Sequence, residues 1–135
     1  MGSDPISQQK VPDLPAVPAA TTRLRNFLAA EVALFALASL LHRGILAHGF
    51  EHARAAVAEA IIAVVLAIGL AINVYSPGEA RAAALWTQGF ALVGVCVGLV
   101  MILIGIGPRT GLDYGIHAVM ALTLITGLTA ARPTS

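Results

Sequence analysis

The sequence predicts an all-α fold: an integral membrane four-helix bundle built as two parallel-repeated transmembrane hairpins. Three observations carry this. The 135 residues are 58% hydrophobic and only 11% charged, with a mean hydropathy of +0.85, whereas soluble domains carry about 25% charged residues. A soluble four-helix bundle needs a polar outer face on every helix, and too few charges exist to make four. Four apolar stretches, residues 27–47, 53–75, 82–106 and 112–130, approach the roughly 20 residues that a spanning helix requires. Finally, the chain matches itself at one ungapped offset. The same composition excludes a disordered chain, a disulfide scaffold (one cysteine) and a basic nucleic-acid binder (net charge +1).

Residues 1–22 read as a flexible tail, because Pro5, Pro12, Pro15 and Pro18 stand among Ser, Gln and Asp without a helical period. The four-helix domain then covers residues 23–131. Its first span is interrupted by His42 and Arg43 and is read as a retained helix rather than a signal peptide, since no small-residue cleavage site follows before His48. His48-Gly49-Phe50-Glu51-His52, Ser76-Pro77-Gly78-Glu79 and Gly107-Pro108-Arg109-Thr110 separate the spans. Connections this short require antiparallel neighbours. Arg23, Arg25, Arg81 and Arg132 lie on one side, and Arg43, Arg54 and Arg109 on the other. That bias favours both termini in the cytoplasm.

At an offset of 58 positions Arg23 falls on Arg81, Ala33-Leu34 on Ala91-Leu92, Ala60 and Ala63 on Ala118 and Ala121, Leu66 on Leu124, and Gly69-Leu70 on Gly127-Leu128. Two hairpins in the same orientation are related by an axis along the membrane normal. The offset also sets Glu59 on His117 and Glu51 on Arg109, so complementary partners hold equivalent positions.

Lipid cannot hydrate a charge, so ionisable groups within spans should face the bundle interior or a wet cavity. Glu59 shares a face with His52, Ala56, Ala63, Ala67 and Ala71 at four-residue steps; Asp113 shares one with His117, and Glu31 one with His42. By depth, His42, His48, Glu51, His52, Glu59, Arg109, Asp113 and His117 form an outer polar layer. Glu31, Asn73 and Gln88, joined by threonines of the last helix, form an inner one. Glu59 and His117 are the expected centre of a ligand-binding or proton-sensitive site, with Asp113, His42 and Glu31 as further members; the alternative is a structural hydrogen bond locking two helices. His48 and His52 are candidate metal ligands, since imidazole beside carboxylate suits Zn, Fe or Cu, but their spacing straddles a loop. Haem between His42 and His117 is a weaker candidate without a ligation motif, and no resident cofactor is expected. Cys96 stands alone, which excludes thiol exchange through a cysteine pair and leaves it as packing filler. Gly94-x3-Gly98 allows close helix approach, within the chain first and between copies second. Trp86 fits an interfacial anchor.

Ala58-Glu59-Ala60-Ile61-Ile62, with Leu66 and Gly69-Leu70, resembles the second helix of DoxX-like proteins, small bacterial four-helix membrane proteins of which some accompany quinone-linked oxidoreductases. The segments Gln88-Gly89-Phe90-Ala91-Leu92 and Ile104-Gly105-Ile106-Gly107-Pro108-Arg109-Thr110 look like parts of uncharacterised bacterial membrane proteins of this size. These resemblances imply a bacterial inner membrane and carry over no catalytic residue. Glu31 lies in the first helix, where small multidrug exporters place a membrane glutamate, but the aromatic partners are absent. Two functions follow as expectations: a binding or transport module with a buried polar site, or an accessory subunit of a membrane redox complex touching quinone or metal. The lipid bilayer is the expected surrounding, a second copy or a membrane redox protein the candidate partner. A stand-alone enzyme is least supported, since no nucleophile–base set or phosphate loop is present.

Overall fold

The structure, a computed structural model, describes residues 19–132. The chain forms α1 (Ala19–His42), α2 (Ala53–Tyr75), a single 3-10 turn (Pro77–Glu79), α3 (Ala80–Leu103) and α4 (Gly111–Ala130). All four α-helices are long and apolar enough to cross a bilayer. At a rise of about 1.5 Å per residue, 20 to 24 residues give about 30 to 36 Å, enough for a hydrocarbon core of about 30 Å. α1 packs on α2, α2 on α3, α3 on α4, and α4 closes back onto α1, leaving α2 and α4 on a diagonal of the ring.

Buried positions explain how the ring closes. On α1 they are Leu24, Leu28, Glu31, Phe35, Ala38 and His42; on α4 they are Asp113, His117, Met120, Leu124, Gly127 and then Ala131. Steps alternating between four and three residues keep these positions on one face of each helix. This seam replaces the four-residue face expected for Glu59. Steps of four drift about 40° each at 3.6 residues per turn, so Ala56, Glu59 and Ala63 are buried while Ala67 and Ala71 turn outward. Outside the seam the surface is apolar, with Ile61, Val64, Val93, Val97, Leu103 and Leu122 exposed. Along the helices Glu31, Glu59, Gln88 and His117 point inward and hydrocarbon outward, which suits lipid as the solvent.

The helix stops have local causes. Gly44 has φ +72°, its N–H donates to Leu41 O and that of Ile45 to Leu40 O. Gly105, at φ +85°, repeats this with Ile102 O and Met101 O. Both are Schellman caps that need a residue free to adopt the left-handed conformation. The first span therefore ends at His42, five residues before the expected limit, and Ile45 and Leu46 belong to the loop. It starts at Ala19 rather than near residue 27, drawing the last residues of the expected tail into the helix; the remainder of that tail lies outside the described residues. Arg109 donates to Ile102 O and Leu103 O, closing the end of α3. α4 begins with a capping box: Asp113 N–H donates to Thr110 Oγ1 while Thr110 N–H donates to Asp113 Oδ2.

The repeat offset describes one helix of each hairpin better than the other. Glu59 and His117, Leu66 and Leu124, Gly69 and Gly127 are buried at matching places in α2 and α4. Ala33 is exposed where Ala91 is buried, so α1 and α3 do not superpose their faces at the same shift. Arg25 donates to Asn73 O and Arg81 to Ala131 O. These arginines play like roles, yet Arg23, not Arg25, was aligned with Arg81. In the odd helices the shift in role is two residues shorter.

Candidate functional site

His42 closes α1, and its seam position turns the imidazole inward, where it is fully buried. Its Nδ1 lies 2.8 Å from Glu59 Oε2 on α2, and its Nε2 3.0 Å from Asp113 Oδ1 on α4. One ring thus joins three helices. The loop after α1 supports this placement, because His52 N–H donates to His42 O at 2.8 Å and Ser39 Oγ donates to Ala56 O.

The two carboxylates differ in how they are satisfied. Asp113 Oδ2 accepts from both the N–H and the hydroxyl of Thr110, and Oδ1 faces His42. Asp113 is the capping carboxylate of α4 and takes the Thr110 N–H there, and a carboxylate only accepts. His42 Nε2 therefore carries a hydrogen and donates to Asp113. Glu59 has a single partner. Its Oε2 meets His42, its Oε1 has no hydrogen-bond partner, and the residue is only 5% exposed.

His117 is one turn below Asp113. Its Nδ1 lies 2.8 Å from the Asp113 carbonyl oxygen, so Nδ1 is the donor and Nε2 carries the lone pair of the neutral ring. No side chain on α3 covers Nε2, because the facing residue is Gly98; a Cβ there would sit 2.7 Å from it. A Cβ on Gly94 would similarly meet Ile62 at 2.6 Å. The glycine pair thus serves approach within the chain, the first of its two sequence readings.

Between α2 and α3 this leaves a cavity of about 470 Å³, within the range of about 300 to 1,000 Å³ of small-molecule sites. Glu59 and His117 supply polar groups to an otherwise mostly apolar wall that includes Phe35, Ile62, Val95 and Met120. Ile61, Phe90 and Val97 border it and are about half exposed on the lipid-facing surface, so the entrance is lateral. Arg54 and His52 stand at the end nearest the loops.

A second polar contact lies further along the bundle. Gln88 Nε2 donates to both oxygens of Glu31, at 3.2 and 3.1 Å, and Gln88 Oε1 is left without a partner. Gly127 makes the space: a Cβ would stand 2.5 Å from Gln88 Nε2 and 2.7 Å from Glu31 Oε1. Asn73 is not part of this contact, since Arg25 holds it. Neither are Thr123, Thr126 and Thr129, whose hydroxyls donate to carbonyls of their own helix.

The structure thus groups Glu59, His42, Asp113 and His117 as expected, with different pairing. Glu59 and His117 share the cavity but no hydrogen bond joins them, and Glu31 sits apart. His48 is exposed beside Glu51, whose carboxyl is held below the usual carboxylate range by the backbone N–H groups of Glu51 itself and of Gly49. His52 Nδ1 accepts from Ala55 N–H as the N-cap of α2. Neither histidine converges on a metal site, and no group of three or more His, Cys, Asp or Glu among the described residues is arranged to hold one. Both nitrogens of His42 face carboxylates, which leaves no lone pair for haem iron. Cys96 lies exposed on α3 rather than packed, because its position falls outside the seam, and Trp86 is exposed near the start of α3. The chain matches no family model, no curated protein and no solved structure.

Proposed function

We propose that the protein is a small membrane-embedded binding or transport module that takes a lipophilic molecule into the cavity between α2 and α3. One observation carries the reading: an apolar, laterally open cavity of about 470 Å³ lined by Glu59, one of whose carboxyl oxygens has no partner, and by the imidazole of His117, which no α3 side chain covers. Ligand sites are mostly apolar concavities with a few convergent polar groups. Both termini are placed in the cytoplasm of a bacterial cell, on the arginine bias and the DoxX-like resemblance. An accessory role in a membrane redox complex has less support. A quinone carbonyl requires a donor, and the guanidinium on the wall, Arg54, stands at the rim nearest the loops.

The test uses protein in lipid nanodiscs and the neutral probe 4-phenylbutanol, measured by equilibrium dialysis against empty discs. Wild type should bind about one probe per chain beyond lipid partitioning. Gly98→Leu, which fills the cavity over His117, should reduce binding at least tenfold. Equal binding by both proteins, or none by wild type, would overturn the reading.

A further inference from the structure

We infer that the cavity selects a lipophilic monocation bearing an N–H donor, a protonated amine, and that a proton competes for the same place. The inference rests on the binding role proposed above and assigns its ligand class. It follows from counting hydrogens on the cluster.

Asp113 is the capping carboxylate of α4, accepting from Thr110 N–H, so the hydrogen of its 3.0 Å contact with His42 lies on Nε2. The 2.8 Å contact between His42 Nδ1 and Glu59 Oε2 then needs one hydrogen more. That hydrogen belongs to an imidazolium facing a carboxylate or to a carboxylic acid facing a neutral ring. In both arrangements Glu59, His42 and Asp113 together carry one negative charge more than positive. An unbalanced charge in a low-dielectric interior is costly, and every hydrogen bond within the cluster is already made. Balance must come at the one oxygen without a partner, Glu59 Oε1, which is itself covered, or from the cavity wall beside it, where His117 Nε2 is the acceptor.

The surroundings supply no fixed cation for that role. α1 contributes His42, and α4 contributes Asp113 and His117, all described above. On α3 the ionisable residues are Arg81, at the far end and bound to Ala131 O, and the exposed Cys96. On α2, Arg54 and His52 stand at the rim; Arg54 is exposed and His52 caps its helix. Arg109 is held by carbonyls of α3. A third proton on Glu59 neutralises the cluster. So does an ammonium group that donates to His117 Nε2 beside Glu59, with its alkyl or aryl body along Phe35, Ile62 and Phe90. Proton and cation therefore exclude each other, with a limiting tenfold loss of cation affinity per pH unit of acidification.

The experiment compares 4-phenylbutylammonium with 4-phenylbutanol in nanodiscs of uncharged phosphatidylcholine, from pH 5 to 9. Above the proton's range the ammonium should bind at least tenfold more tightly than the alcohol. Its dissociation constant should rise as pH falls, while that of the alcohol stays flat. In Glu59→Gln both the preference and the pH dependence should vanish with alcohol binding retained. Wild type alone decides if that variant does not fold. Equal affinities for the two probes across the pH range overturn the cation selectivity while leaving the binding role intact. Loss of both probes from wild type overturns the binding role itself.

Discussion

His42→Leu removes the one ring that joins three helices, and the structure sets the size of the loss. Glu59 Oε2 loses its donor while Oε1 has none to begin with, so a buried carboxyl is left wholly without protein partners. Asp113 keeps the N–H and hydroxyl of Thr110 and loses less. Stranding one member of a buried, hydrogen-bonded charge pair costs about 3 to 5 kcal/mol, and this value is expected for His42→Leu. Replacing Glu59 by Leu in the same protein removes the stranded group, so the double variant should recover about 2 kcal/mol of the summed losses. Glu59→Leu with His117→Leu is the comparison: no hydrogen bond joins those residues, and their coupling should be smaller than that of His42 with Glu59. Reversible unfolding in mixed dodecyl maltoside–dodecyl sulfate micelles, followed by circular dichroism, gives the four energies of each cycle. Additive losses for His42 and Glu59, or coupling larger in the comparison, would refute the bridge.

Gly127→Ala drives a methyl group into Gln88 and Glu31 and should cost about 1 to 3 kcal/mol. Gly115→Ala in the same helix meets nothing within 4 Å and should be neutral or stabilising by up to about 1 kcal/mol in the same unfolding assay. The depressed Glu51 carboxyl supports its loop above the ordinary carboxylate pKa and loses that support as pH falls through its own lower value. The amide resonance of Gly49 should follow this titration below the usual carboxylate range, and Glu51→Gln should abolish it. Cysteines at Ser76 and at Gly107, in a Cys96→Ala background, should react with membrane-impermeant maleimide from opposite sides of the bilayer; same-side labelling removes the alternating topology.

The spans of α2 and α4 were legible within a residue because real breakers bound them: His48 to His52, Pro77, and Pro108 to Thr110. The end of α1 was not, since Ile45 and Leu46 continue the apolar run past Gly44, whose left-handed backbone is what stops the helix. The members of the polar cluster could be read from the cost of charge in lipid. Their partners could not. The offset of 58 aligns Glu59 with His117, but in this ring α2 and α4 stand on a diagonal rather than side by side. His42, read from the sequence only as a further member of the site, spans that diagonal. The cavity had one trace in the sequence, Gly94-x3-Gly98, but its depth depends on which atoms of other helices those glycines leave uncovered.

The seam also bears on the order in which the protein is made. α1 and α4 are the two least apolar helices and they pack together. α1 leaves the ribosome first, carrying Glu31 and His42, whose partners are Glu59 on α2, Gln88 on α3 and Asp113 on α4. Each further helix therefore supplies one more partner to these two groups, and His42 is complete only when the last has entered. Until then the nascent bundle carries an unmatched polar edge on α1. That edge is costly against lipid until α4 arrives to complete His42.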